Sequence, residues 1–202
     1  DANRKPAQIV AFAGVKPGDK VAELMPGGGY YTRILAKTVG PQGHVYAVVP
    51  TAFASRPGAL DGINAIAQQY GNVSVVTTDL AALKLPEPVD VVWTTENYHD
   101  FHNGPSANIA GLDASAFAAL KPGGVFYVED HAAAAGSGIT ATSTLHRIDP
   151  AAAISEVEKA GFKLDARSNL LANPQDAHDK AVFDPSIRGE TDKFALRFRK
   201  PR

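Results

Sequence analysis

Cysteine is missing from all 202 residues, which excludes disulfides, thiolate metal sites and cysteine nucleophiles and leaves the redox compartment open. An excess of either charge is missing as well. Twenty Lys and Arg stand against 21 Asp and Glu, for a formal net charge of -1, and the basic residues are scattered except in the tail around Arg197 to Arg202. Without a global field, neither nucleic acid nor an anionic membrane surface is an expected partner. No apolar run approaches the ~20 residues needed to cross a bilayer, and no charged segment followed by an apolar one opens the chain. The first residue is Asp1 rather than methionine, so a removed leader and a mature periplasmic form stand beside a cytoplasmic location as expectations. One absence is local: no Asp or Glu lies between Glu23 and Asp61.

What remains is an ordinary globular composition, 45% hydrophobic and 20% charged. A chain of this length buries roughly 70% of its unfolded surface, so a single domain over residues 1–202 is expected. Residues 1–18 read as an N-terminal helix and turn, and 172–190 as a lid-like loop, since long loops in compact domains tend to be lids or binding segments. Strand and helix patterns alternate along the chain. Strands are expected at Val21 to Leu24, His44 to Val49, Val73 to Thr77, Val89 to Thr94, Val125 to Glu129, Phe162 to Ala166 and Phe194 to Arg199. Helices are expected at Ala7 to Ala13, Tyr30 to Val39, Asp61 to Tyr70, Asp113 to Leu120 and from Pro150, capped by Asp149, to Ala160. Lys121 to Gly124 reads as a tight turn and Ala132 to Gly138 as a mobile small-residue loop. The last strand alternates Phe194, Leu196 and Phe198 with Ala195, Arg197 and Arg199, which predicts an antiparallel strand with one wetter face. Such alternation implies an α/β fold with a mostly parallel sheet covered on both faces, and ligands beyond the carboxyl ends of the strands.

The segment KVAELMPGGGY, from Lys20 to Tyr30, is the most informative. A short strand ends near a carboxylate, three glycines follow, and a helix begins. Glycine lets backbone amides approach a ligand, and a helix start supplies unpaired N–H donors, so this is a nucleotide cradle. Together with LKPGGVFYVED, EVEKAGF and the acidic Asp79 after the third strand, it resembles a class I S-adenosylmethionine-dependent methyltransferase, and more narrowly the uncharacterised bacterial group with a PGGGY loop. The similarity runs from about Pro6 to Arg199. It implies a Rossmann-like seven-stranded sheet with an antiparallel last strand and S-adenosylmethionine as cofactor. Glu23, Met25, Pro26, Gly27, Gly28, Gly29, Asp79 and Thr95 are its implied binding residues, with Asp79 accepting from the adenine amine. Two departures stand out. Met25 takes the place of the first glycine of the loop, and the acid that holds both ribose hydroxyls after the second strand is replaced by VVPT, leaving Thr51, Ser55 or backbone groups to substitute. A nicotinamide dinucleotide fits worse, since Thr32 occupies the third glycine position of its fingerprint.

Chemistry concentrates in ENYHDFHN, Glu96 to Asn103, directly after the fourth strand. A histidine can take a proton from an acceptor, and an adjacent carboxylate can orient it. His99 with Asp100 is the expected base, with His131 and His146 as second choices. Tyr98, His102 and Arg147 are expected to contact substrate, Arg147 by docking an anion or, equally, by forming an internal bridge. Asp176, His178 and Asp179 are expected to tie down their own loop. Two histidines three apart do not make a metal site without a third ligand, so no metal is expected. The expected function is methyl transfer to an O or N of a small molecule by a monomer or homodimer. A non-catalytic or altered-ligand binding protein on the same fold, and a His/Asp metal-dependent enzyme, are the alternatives.

Overall fold

The computed structural model describes residues 2–105 and 107–202, so Asp1, and with it the reading of a removed leader, lies outside the described residues. In chain order the elements are α1 (Pro6–Ala13), β1 (Lys20–Leu24), α2 (Tyr30–Val39), β2 (His44–Pro50), the single turn α3 (Thr51–Ala54), α4 (Asp61–Gln69), β3 (Val73–Thr78), β4 (Val89–Thr95), α5 (Ile109–Ala119), β5 (Leu120–His131), α6 (Pro150–Lys159), β6 (Lys163–Ser168) and β7 (Lys193–Arg199). Short 3-10 turns follow β3 and β4, at Leu80–Ala82 and His99–His102.

The seven strands form one sheet in the order β3-β2-β1-β4-β5-β7-β6. Pairings from β3 across to β5 are parallel, and β7 runs antiparallel to both β5 and β6. Each face has its own core, because successive strand residues point to opposite sides. Trp93 and Tyr127 pack with Ile9, Leu35 and Ile63 from α1, α2 and α4, while Val92 and Phe126 pack with Leu112 and Val157 from α5 and α6. Among the described residues no helix is long and apolar enough to cross a membrane.

Four departures from the expected elements have a clear physical cause. β5 begins at Leu120, so Lys121 to Gly124 is not a free turn but a bulge within the ladder: Val89 pairs with Leu120 and Val91 with Val125. The chain's tail holds that bulge, Gly123 N–H donating to Lys200 O and Lys200 N–H to Gly124 O. α5 starts earlier than expected because Asn108 caps it, accepting from Gly111 N–H at 2.9 Å. β7 has no wet face over Lys193 to Leu196, all buried, because it lies between β5 and β6 rather than at an edge. The Ala132 to Gly138 loop is tied down: Ala132 bridges Ile148, and Asp149 accepts from Gly136 N–H at 2.7 Å while also capping α6.

Candidate functional site

A crevice forms at the carboxyl ends of β1 and β4, where the strand order reverses and the crossovers leave in opposite directions. β1 delivers Glu23, and the chain then turns through Met25 at φ 50, Gly27 at φ 55 and Gly29 at φ 75. Glycine adopts these left-handed angles freely, whereas for Met25 they cost about 1–2 kcal/mol. Residue 25 thus keeps a backbone suited to glycine while adding a side chain to the floor. Gly29 is doubly constrained, since a Cβ there would lie 2.1 Å from Ile66 Cδ1. At Gly27 and Gly28 an added Cβ would meet nothing within 4 Å, so these two face open space. Arg33 Nη1 donates to the carbonyls of Gly28 and Gly29, each at 3.0 Å, which steadies the loop.

The cavity above the loop has a volume of about 350 Å³. Glu23 and Tyr31 line it from below, and Thr95 and Glu96 from the end of β4. Burial raises the Glu23 carboxyl to about 7, against the opposing hydrogen bond from Thr32 Oγ1 at 2.5 Å. The buried Tyr31 hydroxyl has no hydrogen-bond partner among the described residues. Met25 and Pro50 also wall an adjoining cavity of about 610 Å³ whose lining includes Thr51, Asp79 and Asp100. Asp79 accepts from Ala81 N–H at 2.9 Å, which fixes its carboxylate at the mouth of the 3-10 turn. Between the two cavities, the β2 end presents Val49, Pro50 and Phe53.

Arg4 and Glu96 separate the first cavity from a third, of about 490 Å³, lined by His131, Thr191 and Lys193. The Arg4 guanidinium lies 4.5 Å over the Tyr30 ring and 3.8 Å from the Glu96 carboxylate, to which Lys193 Nζ also donates at 2.7 Å. Desolvation pushes the His131 imidazole down to about 4, so it is neutral at neutral pH, and its Nδ1 pairs with Thr191 Oγ1 at 2.8 Å.

His99 is buried behind this wall. Asp130, itself fully buried, accepts from the His99 backbone N–H at 2.6 Å and from Nδ1 at 2.8 Å, while Nε2 lies 3.2 Å from Asp100 Oδ1. His146 Nδ1 approaches the same oxygen at 3.5 Å. Burial works against the charged imidazolium, but the hydrogen bonds to Asp100 and Asp130 outweigh it and raise His99 to about 9. Both ring nitrogens of His99, the expected base, thus face carboxylates, and its side chain is not among those lining the three cavities.

Three expected substrate contacts are structural. Tyr98 is completely buried and donates to Asp113 at 2.9 Å. His102 faces inward, its Nε2 2.9 Å from Glu156. Arg147 is fully buried in a two-pronged pair with Asp176, at 2.8 and 3.1 Å, so it holds the 172–190 segment down rather than docking an anion. His178 Nε2 adds a contact to Asp192 at 2.9 Å. Arg4, Tyr31, Phe53 and Lys193 line the cavities without having been expected there. Arg4 and Lys193 reach the site from opposite ends of the chain, and no local pattern marks them. Glu96, the first residue of ENYHDFHN, carried a signal in its position directly after β4.

No protein-family model matches the chain. A protein-L-isoaspartate O-methyltransferase of Ignicoccus hospitalis is 39% identical over 75 residues, 36% of this chain and 33% of that protein. The chain therefore spans about a third of the length of that curated relative. A SAM-dependent methyltransferase from Aquifex aeolicus superposes with a TM-score of 0.71 at 16% identity, covering 99% of this chain and 94% of the other. This chain has the class I methyltransferase fold. Fibrillarin from Aeropyrum pernix, solved with natively bound S-adenosyl-L-methionine, shares that fold with a TM-score of 0.63 at 16% identity over 98% of this chain and 75% of its own. In the class I methyltransferase fold seen here, the glycine loop, the β2 end and Asp79 follow one another along the crevice.

Proposed function

We propose that the crevice binds S-adenosylmethionine and that the chain transfers a methyl group from it to an oxygen or nitrogen of a small molecule. The observation that carries this reading is adjacency. The cavity holding Asp79 shares Met25 and Pro50 with the cavity over the open faces of Gly27 and Gly28, which holds Glu23 and Tyr31 and in turn shares Arg4 and Glu96 with the chamber containing His131. A ligand with an aminopurine at one end and an amino acid at the other matches the first two of these. Asp79, an acceptor-only carboxylate, suits an exocyclic amine, while Arg4 and the unpaired Tyr31 hydroxyl suit a carboxylate and an ammonium group. Bound there, the cofactor supplies an electrophilic methyl group.

The chain's own residues do the rest. Glu96 and Arg4 stand between the two chambers and orient an acceptor toward the glycine-loop cavity, so that a large part of the barrier is met by positioning. His131, neutral and on the chamber wall, accepts a hydrogen bond from the acceptor and orients it, its imidazole at about 4 being too weakly basic to hold the proton at neutral pH. Among the described residues, Arg4, Arg188 and Lys193 line this chamber with one acid, Glu96, which favours an acceptor carrying a negative group.

A second reading is favoured by one observation: the β2 end is apolar. Val49, Pro50 and Phe53 stand where a ribose acid would be needed, and Ser55 spends its hydroxyl on Ala52 O at 3.0 Å. A binding protein with an altered ligand fits that surface. Loss of a charge-assisted hydrogen bond weakens a micromolar ligand to about 10–100 µM. Calorimetric titration with S-adenosylhomocysteine is expected to give binding in that range. Absence of heat at millimolar ligand would discard the methyltransferase reading in favour of the second.

A further inference from the structure

We propose that His99, Asp100 and His146 form a site for one divalent transition-metal ion of the zinc type, at the rim between the Asp79 cavity and the loop carrying Phe183. This goes beyond the methyl-transfer reading and does not depend on it. The geometry comes first. Asp100 Oδ1 lies 3.2 Å from His99 Nε2 and 3.5 Å from His146 Nδ1, and the three candidate ligand atoms all fall within 4.8 Å of one another. Ligand atoms at ~2.0–2.2 Å from a tetrahedral ion are about 3.3–3.5 Å apart, so two edges of the coordination triangle are already set. The third closes with a shift of roughly 1 Å, within reach of the His146 side chain, which is a third exposed.

Orientation supports the same assignment. Asp130 engages Nδ1 of His99 at 2.8 and 3.0 Å and also its backbone N–H. A carboxylate on the far ring nitrogen keeps a proton there, so that when an incoming metal displaces the Nε2 proton the lone pair faces Asp100 and His146, the arrangement that supports metal-bound histidines. His146 has the left-handed φ of 55, which is uncommon outside glycine, with its ring edge-on to His99 at 5.4 Å and to Phe183 at 5.0 Å. The neighbouring histidines belong to other contacts, His102 Nε2 to Glu156 and His131 Nδ1 to Thr191. Two imidazoles and a carboxylate favour zinc, cobalt or iron(II) over magnesium or calcium, which prefer oxygen shells. Asp100 is 44% exposed at its side chain and lines the cavity that holds Asp79, so a fourth position is open to water or to a ligand oxygen, as in reactive rather than purely structural sites.

The test uses the untagged full chain, stripped with chelator and dialysed, then titrated with Co²⁺ and Zn²⁺ in the absence of S-adenosylmethionine. The expected result is one equivalent bound, with the visible d–d absorption of a low-coordinate Co²⁺ and release of protons on binding. His146→Ala, on the loop and outside the core, is expected to weaken Co²⁺ binding at least about 100-fold. Asp130→Asn is expected to weaken it about 10–100-fold, and His44→Ala, at the far side of the sheet, to leave it unchanged. Failure of the wild-type chain to retain either metal, or a His146→Ala chain that binds Co²⁺ as the wild type does, would overturn the proposal. Both outcomes are independent of cofactor binding, so they separate this site from the methyl-transfer reading.

Discussion

At the scale of single residues, the crevice is defined by what stands at positions 25, 29 and 49. Met25 shows that a residue other than glycine can hold a left-handed backbone here, at the cost of local strain. Val49 matters more on the proposed cofactor reading, because it lines the cavity at the end of β2 with a methyl surface. Val49→Asp is therefore expected to tighten S-adenosylhomocysteine about 10- to 100-fold, measured by calorimetry. An unchanged affinity would mean that the ligand's sugar lies elsewhere. The histidines make a related point: His99, His102 and His131 share similar local sequence contexts, yet one is clamped by two acids, one faces Glu156 and one is neutral. Neighbouring letters in ENYHDFHN identify candidates for chemistry, but the acid that Asp130 contributes from the next strand assigns the roles.

At the scale of elements, single side chains often do two jobs. Asp149 caps α6 through Ala151 N–H at 2.9 Å and gathers the Gly136 and Gly138 amides at 2.7 and 3.4 Å. The cap was readable in the Asp-Pro pair, since capping needs only local geometry. The hold on the glycine loop was not, because it depends on where that loop returns. Asp149→Ala is expected to cost about 1–2 kcal/mol for the cap alone, lowering the thermal midpoint by about 3–8 °C, and to open residues 132–138 to proteolysis. A chain that loses stability without any gain in cleavage there would refute the second role. β5 follows the same logic. LKPGG has all the marks of a turn, but Lys200 pairs across it and keeps it in the sheet.

At the scale of the whole molecule, buried carboxyls set the pH response. Burial raises Glu23, Asp113 and Glu129 to about 7. Between about pH 4.5 and 7 the folded chain therefore keeps protons that the unfolded chain has lost, and stability falls as pH rises through this window. His131, lowered to about 4, and His44, lowered by desolvation, oppose the trend below 6.5, while burial of Asp19 adds to it. Below pH 4 the sign reverses at Asp176, whose carboxyl the Arg147 pair holds below its usual range despite burial. Its contribution is present above the unfolded value and is lost as pH falls through the folded one. Denaturant unfolding is expected to show greatest stability near pH 4–5 and a decline toward pH 7. Glu129→Gln should make that decline shallower, and an unchanged slope would refute its part in it.

The sequence by itself determined the order of strands and helices and the glycine loop after β1, because hydrophobic period, caps and glycine conformations act over a few residues. Only the tertiary structure decided that Arg147 is an internal bridge, that Tyr98 is core and that His146 meets His99 and Asp100. Those pairings join segments brought together by the sheet crossovers, and no local pattern along the chain encodes a contact made across that distance.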